Sequence, residues 1–172
     1  RLQTRLDLFF ADRAEGKVEH ILTERDKGWV NIHDDLYFLK ESERFLWASE
    51  RSGYMHLYLY DMKGKLIGPV TSGDWAIRSA AGAVSWLRQT VHAIDEEGGW
   101  VYFTSIRRSS IEKHLYRVRF DGNGLERLTK AAGTHGVGFS PDGRHYFNQH
   151  SSGSIPPSLS LHAADGRRLN LL

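Results

Sequence analysis

Side chains able to do chemistry are plentiful in this chain, but few are spaced for it. The histidines stand at 20, 33, 56, 92, 114, 135, 145, 150 and 162. A helical zinc site needs two of them four residues apart, as in H-E-x-x-H, and no pair has that spacing. His145 and His150 are five apart, which on a strand puts them on opposite faces. With no cysteine, thiolate chemistry and disulfides are excluded, and neither a metal nor another cofactor is expected. Nucleophilic catalysis by a serine on a strained strand-to-helix turn needs G-x-S-x-G. Ser140 comes nearest: Gly138 precedes it at the right distance, but Asp142 takes the second glycine's place, and S-P-D-G reads as a turn. Without an elbow, a later Asp and a later His there is no triad, so this chain alone is expected to catalyse nothing of that kind. Glu96-Glu97, beside Gly98-Gly99, reads as a solvated hairpin turn, and Arg107-Arg108 as a solvated turn rather than a phosphate site.

Bulk properties narrow the classes further. Hydrophobic residues make up 40% and charged residues 26%, ordinary for a globular domain. The formal net charge is +2 and the basic residues are scattered, which argues against nucleic acid as a partner. No apolar run approaches the ~20 residues of a membrane-spanning helix. Nothing in the composition chooses a compartment, and bacterial periplasm and cytoplasm both stay open. The chain begins with Arg1, which suggests a piece cut from something longer.

The elements that must position these residues are short strands. Five Trp, and aromatics at 12%, fall inside alternating runs separated by turn residues. Thr4–Ala11 and Lys17–Leu22 read as a hairpin. Asp35–Leu39, Phe45–Ser49, Met55–Asp61 and Leu66–Thr71 read as four strands of one sheet. Val91–Asp95, Trp100–Ser105, Leu115–Phe120 and Leu125–Thr129 read as the next. Gly136–Ser140, His145–His150, Ser158–Ala163 and Arg168–Leu172 read as a third. The stretch Gly73–Gln89 is compatible with a helix, but Gly82 and the Ala-Val-Ser-Trp alternation favour a crossing between sheets followed by an inner strand. Asp-Gly at 121–122, 142–143 and 165–166 marks tight hairpins, and the first and last of these occupy the same place in consecutive sheets.

A cassette of this kind, repeating at roughly 45–58 residues, is the signature of a β-propeller blade. The fold class expected is therefore all-β: a partial propeller of about three to four antiparallel four-stranded blades. The blades span 1–24 (incomplete, lacking its inner strands), 29–72, 73–131 and 134–172. Closed propellers need at least about four blades, so truncation of a larger wheel follows, with exposed edges that favour self-association.

Several motifs, in order, resemble the propeller of the dipeptidyl peptidase IV family of serine peptidases. They are W-V-N-I-H-D-D-L-Y-F (Trp29–Phe38), A-S-E-R-S-G-Y-M-H-L-Y (Ala48–Tyr58), T-S-G-D-W (Thr71–Trp75), V-Y-F-T-S followed by E-K-H-L-Y (Val101–Tyr116), and F-S-P-D-G (Phe139–Gly143). The spelling is similar to the intracellular branch and its bacterial relatives. The resemblance implies the second half of an eight-bladed wheel, followed in the same chain by an α/β-hydrolase domain, with the active site between them. It implies removal of Xaa-Pro or Xaa-Ala dipeptides from peptide N-termini, and an acidic pair for the substrate amine in an earlier segment absent from this chain. It also implies that the Trp29–Asp35 loop enters the cavity, so that Asn31, Ile32, His33 and Asp34 face the peptide substrate. The membrane-anchored enzyme carries Arg and aromatic side chains there, so the contacts would differ. Read from the residues alone, His33 and Asp34 could instead pair to organise the loop, and Asp34 and Asp35 could cap a turn. Tyr54, His56 and Tyr58 read as packing residues sharing a face, and Trp75 as the cover of a crossing between blades. The alternative to a substrate-gating wall is a protein-interaction propeller of TolB or WD-repeat type, distinguished by carrying all its blades in one chain.

Overall fold

The computed structural model describes residues 3–77 and 90–171, and among them there is no helix. Fourteen strands follow in order: β1 (Arg5–Ala11), β2 (Val18–Arg25), β3 (Leu36–Phe38), β4 (Arg44–Ser49), β5 (His56–Asp61), β6 (Leu66–Pro69), β7 (Val91–Asp95), β8 (Trp100–Ser105), β9 (His114–Arg119), β10 (Glu126–Arg127), β11 (Thr134–Phe139), β12 (His145–Ser151), β13 (Ser158–Ala163) and β14 (Arg168–Leu171). They form one hairpin, β1-β2, and three four-stranded antiparallel sheets, β3 to β6, β7 to β10 and β11 to β14, each in chain order. The fold is the partial propeller expected. The suggested crossing and inner strand within Gly73–Gln89 lie, from residue 78 on, outside the described residues.

Apolar seams between successive sheets hold the stack together. Phe45 and Trp47 of β4 turn toward the hairpin, where they pack with Ile21, Leu22, Tyr58 and Tyr60. Their alternate neighbours, Leu46 and Ala48, turn the other way, with Leu57 and Leu59, onto Val101, Phe103, Tyr116 and Val118. Tyr102, Leu115 and Leu128 then meet Tyr146 of the last sheet. Strands sandwiched on both faces must be apolar at every position, which is why β4, β5 and β8 read as continuous runs. In β12 every second residue is exposed through its first half.

A polar anchor repeats from sheet to sheet. Thr71 Oγ1 accepts the Leu57 N–H at 2.9 Å and lies 3.0 Å from His56 Nδ1. Thr129 Oγ1 accepts the Leu115 N–H at 3.0 Å and lies 3.1 Å from His114 Nδ1. In the hairpin Thr23 Oγ1 donates to Asp7 at 2.6 Å. Each anchor ties the first residues of a third strand to the end of the fourth, so His56 and His114 are buried and satisfied. Trp75 closes edge-on over His56, with ring centroids 5.0 Å apart. Tyr54 does not join its neighbours; it sits in the turn before β5 and is 43% exposed.

Candidate functional site

The chain leaves β2 through a turn that Asp26 organises. Its carboxylate accepts the N–H of Gly28 at 2.7 Å and of Trp29 at 3.2 Å. Val30 N–H then bonds the Gln3 carbonyl at 2.7 Å, fixing the start of the Trp29–Asp35 loop to the segment before β1. At its far end Asp35 is buried. Its carboxylate accepts the Tyr37 hydroxyl at 2.6 Å and the Thr90 N–H, at the head of the next sheet, at 3.2 Å. Burial, and next the Asp35 carboxylate beside it, push the Tyr37 phenol well above its ordinary pKa, so it remains a neutral donor.

Between these ends the four sequence-predicted residues part company. Asn31 Nδ2 donates to Glu50 of the β4–β5 turn at 2.6 Å. Ile32 stands 75% exposed. His33 lays its ring on Trp47, centroids 4.6 Å apart and tilted by 38°. Its Nδ1 accepts the Asp35 N–H at 3.3 Å, which leaves Nε2 as the protonated nitrogen of the neutral ring. The Asp34 side chain is exposed and, among the described residues, makes no hydrogen bond or ion pair. His33 therefore pairs with the residue after Asp34, and the loop is organised by Asp35 rather than by a His33–Asp34 contact.

Ile32, His33 and Asp34 line one open groove of about 630 Å³, together with Leu6, Leu8 and Trp47. Asn31 and His33, with Glu24, line a second, much smaller hollow of about 30 Å³. The groove offers an apolar contact, an imidazole and an unpaired carboxylate. Among the described residues, no serine, threonine or cysteine lines it. No group of three or more metal-ligating side chains exists among the described residues.

Other contacts escaped the sequence. Glu96 is not merely solvated: its carboxylate accepts the N–H groups of Lys40 and, at 3.0 Å, Glu41 in the neighbouring sheet. Nothing in the sequence links residues more than fifty positions apart. Arg108 pairs with Glu112 at 2.7 Å and Arg107 lies over Trp75 at 5.6 Å, so neither is a free phosphate-seeking cation.

Residues 1–157 match the model of the dipeptidyl peptidase IV (DPP IV) N-terminal region. Dipeptidyl peptidase 4 of Trichophyton equinum is 26% identical over 151 residues, which cover 84% of this chain and 18% of that protein. A probable dipeptidyl-aminopeptidase B of Emericella nidulans is 30% identical over 161 residues, covering 88% of this chain and 17% of its own length. The crystal structure of Porphyromonas gingivalis dipeptidyl peptidase 4 superposes with a TM-score of 0.83 at 25% identity, over 99% of this chain and 23% of that one. The chain thus spans about a fifth of the length of these relatives.

Proposed function

The chain belongs to the dipeptidyl peptidase IV N-terminal region family, and from that premise we propose that it forms part of the substrate-cavity wall of a serine-type dipeptidyl peptidase. The nucleophile, the later Asp and the His would come from an α/β-hydrolase domain of the same polypeptide. The substrate would be a peptide whose N-terminal Xaa-Pro or Xaa-Ala dipeptide is removed. Sheets packed face to face make a rigid wall, and a rigid wall excludes folded chains while orienting an extended one.

One observation carries this reading: the Trp29–Asp35 loop is tied down at Asn31, His33 and Asp35, yet presents Ile32 and Asp34 unpartnered beside an open groove. A binding loop loses less on engaging a ligand when its base is already held in place, and these contacts hold this one. The reading is tested in the full-length protein by His33→Ala. The expected result is weaker binding of peptides that extend past the scissile bond, with little change for a Gly-Pro chromogenic substrate. Unaltered kinetics on long peptides would remove the role. The isolated chain is expected to leave Gly-Pro substrates intact.

A further inference from the structure

Under the loop lies a buried carboxylate that the cavity-wall reading leaves without a task. Glu24, near the end of β2, is 8% exposed. Buried carboxylates are rare unless fully paired. This one accepts Trp47 Nε1–H at 3.0 Å, Ser49 Oγ–H at 2.9 Å and the Arg51 guanidinium. Arg51 is itself held, with its guanidinium 4.5 Å over the Tyr58 ring and its Nε donating to Ser49 Oγ at 2.9 Å. Tryptophan has a single donor, so the bond from Nε1 fixes the rotation of the Trp47 indole. On that indole rests His33, whose ring has only one hydrogen bond among the described residues, the 3.3 Å contact from Asp35 N–H. The Asp35 carboxylate stands 4.0 Å from Nδ1, and the Trp47 face is the second support that sets where the imidazole stands.

We propose that Glu24 is the positioning residue of the loop: acting through Trp47, it sets the height of His33, and with it Ile32 and Asp34, above the groove. The proposal rests on the reading of this loop as a peptide-contacting segment. Glu24 borders the small hollow beside Asn31 and His33 but not the groove itself, and the side chain it bonds that does reach the groove is Trp47.

The test uses the full-length protein with His33→Ala, Glu24→Gln, Trp47→Phe and the Glu24→Gln/His33→Ala double variant. Substrates are a Gly-Pro chromogenic compound and a hexapeptide beginning Gly-Pro. In Glu24→Gln the ratio of kcat/KM for the hexapeptide over the chromogenic compound is expected to fall roughly three- to tenfold. Trp47→Phe, which removes the indole donor, is expected to reproduce the fall. On the His33→Ala background Glu24→Gln should add nothing further, because both act through one contact. Equal loss on both substrates, or additive effects in the double variant, would overturn the proposal. A second readout does not depend on catalysis: carbethoxylation by diethyl pyrocarbonate, mapped by mass spectrometry. His33 should react several-fold faster in Glu24→Gln while His135 does not change, and an unchanged rate at His33 would overturn the positioning role. If His33→Ala leaves the substrate ratio intact while His33 labelling shifts in Glu24→Gln, the peptide-contact reading fails and the positioning of the ring stands.

Discussion

The two rims of the stacked sheets are built differently. On one rim lie the tight turns, and most of them cap themselves. Asp12 accepts the Ala14 and Glu15 N–H groups, Asp61 those of Lys63 and Lys65, Asp95 that of Gly98, Asp121 that of Asn123, Asp142 that of Arg144 and Asp165 that of Arg167. On the opposite rim the connections are longer and expose Trp29, Ile32, Tyr54, Ile111 and Ile155; local caps at Asp26, Ser49 and Ser105 are joined there by contacts such as Asn31 to Glu50 and Asp35 to Thr90. The first rim relies chiefly on a carboxylate within each turn, and Glu96 there also reaches across to Lys40 and Glu41. The second adds contacts between segments far apart in the chain and carries the exposed apolar tips.

The largest effect that would sharpen this contrast is at the turn rim. Gly64 has φ +79°, and an added Cβ would stand 2.0 Å from the Ile21 carbonyl oxygen. Gly64→Ala therefore forces backbone apart and is expected to cost about 3 kcal/mol or more, a fall in Tm of roughly 6–12 °C by calorimetry. Gly143, with φ +67° and nothing within 4 Å of an added Cβ, separates strain from clash. Gly143→Ala should cost only about 1 kcal/mol. Equal losses at the two glycines would show that turn packing against the neighbouring sheet contributes nothing.

Acid should weaken the partly and fully buried histidines before it touches the turns. Burial, reinforced by nearby Lys113, lowers His92 to about 4, and burial also lowers His56 and His135. A histidine depressed in the folded state binds fewer protons than its unfolded counterpart. Its contribution is complete above about pH 6.5 and is lost as pH falls toward 4, on the order of 1–3 kcal/mol for His92. Asp12 and Asp121 are lowered chiefly by turn N–H groups, and Asp142 chiefly by the Ser140 hydroxyl. Their contribution is present above about pH 4 and disappears only below it. Urea midpoints between pH 8 and pH 3 should fall in two stages. A flat profile down to pH 4 would show that these histidines do not contribute to stability in this way.

The smallest effect on stability, and the most telling for function, is at the loop rim. Asn31→Ala removes an exposed 2.6 Å bond to Glu50 and should cost about 0.5 kcal/mol or less. In the full-length protein it should nonetheless raise KM for long peptides. A stability loss as large as that of Gly64→Ala would erase the distinction between the rims.

The same contrast decides how much could be read from the chain. Turn positions such as Asp121-Gly122 and Asp165-Gly166 were visible because their structure is written in adjacent residues. So were the sandwiched strands, because Phe45–Ser49 or Trp100–Ser105 can be apolar throughout only if both faces are covered. The loop could be located through its resemblance to relatives, but its anchors could not. Glu24 to Trp47, Asn31 to Glu50 and Asp35 to Thr90 join residues that only stacking brings together. For the same reason Glu96 looked like an idle turn residue.

The most direct measurement is photo-crosslinking from position 32, the more exposed of the loop's two large apolar tips, Trp29 and Ile32. Benzoylphenylalanine replaces Ile32 in the full-length protein, and a control variant carries it at Ile111, which is 85% exposed on the same rim. A slowly cleaved Gly-Pro-led peptide is the probe. An adduct is expected from position 32, on peptide residues beyond the first two, and none from position 111. No adduct at 32, or equal capture at both positions, would contradict the cavity-wall reading.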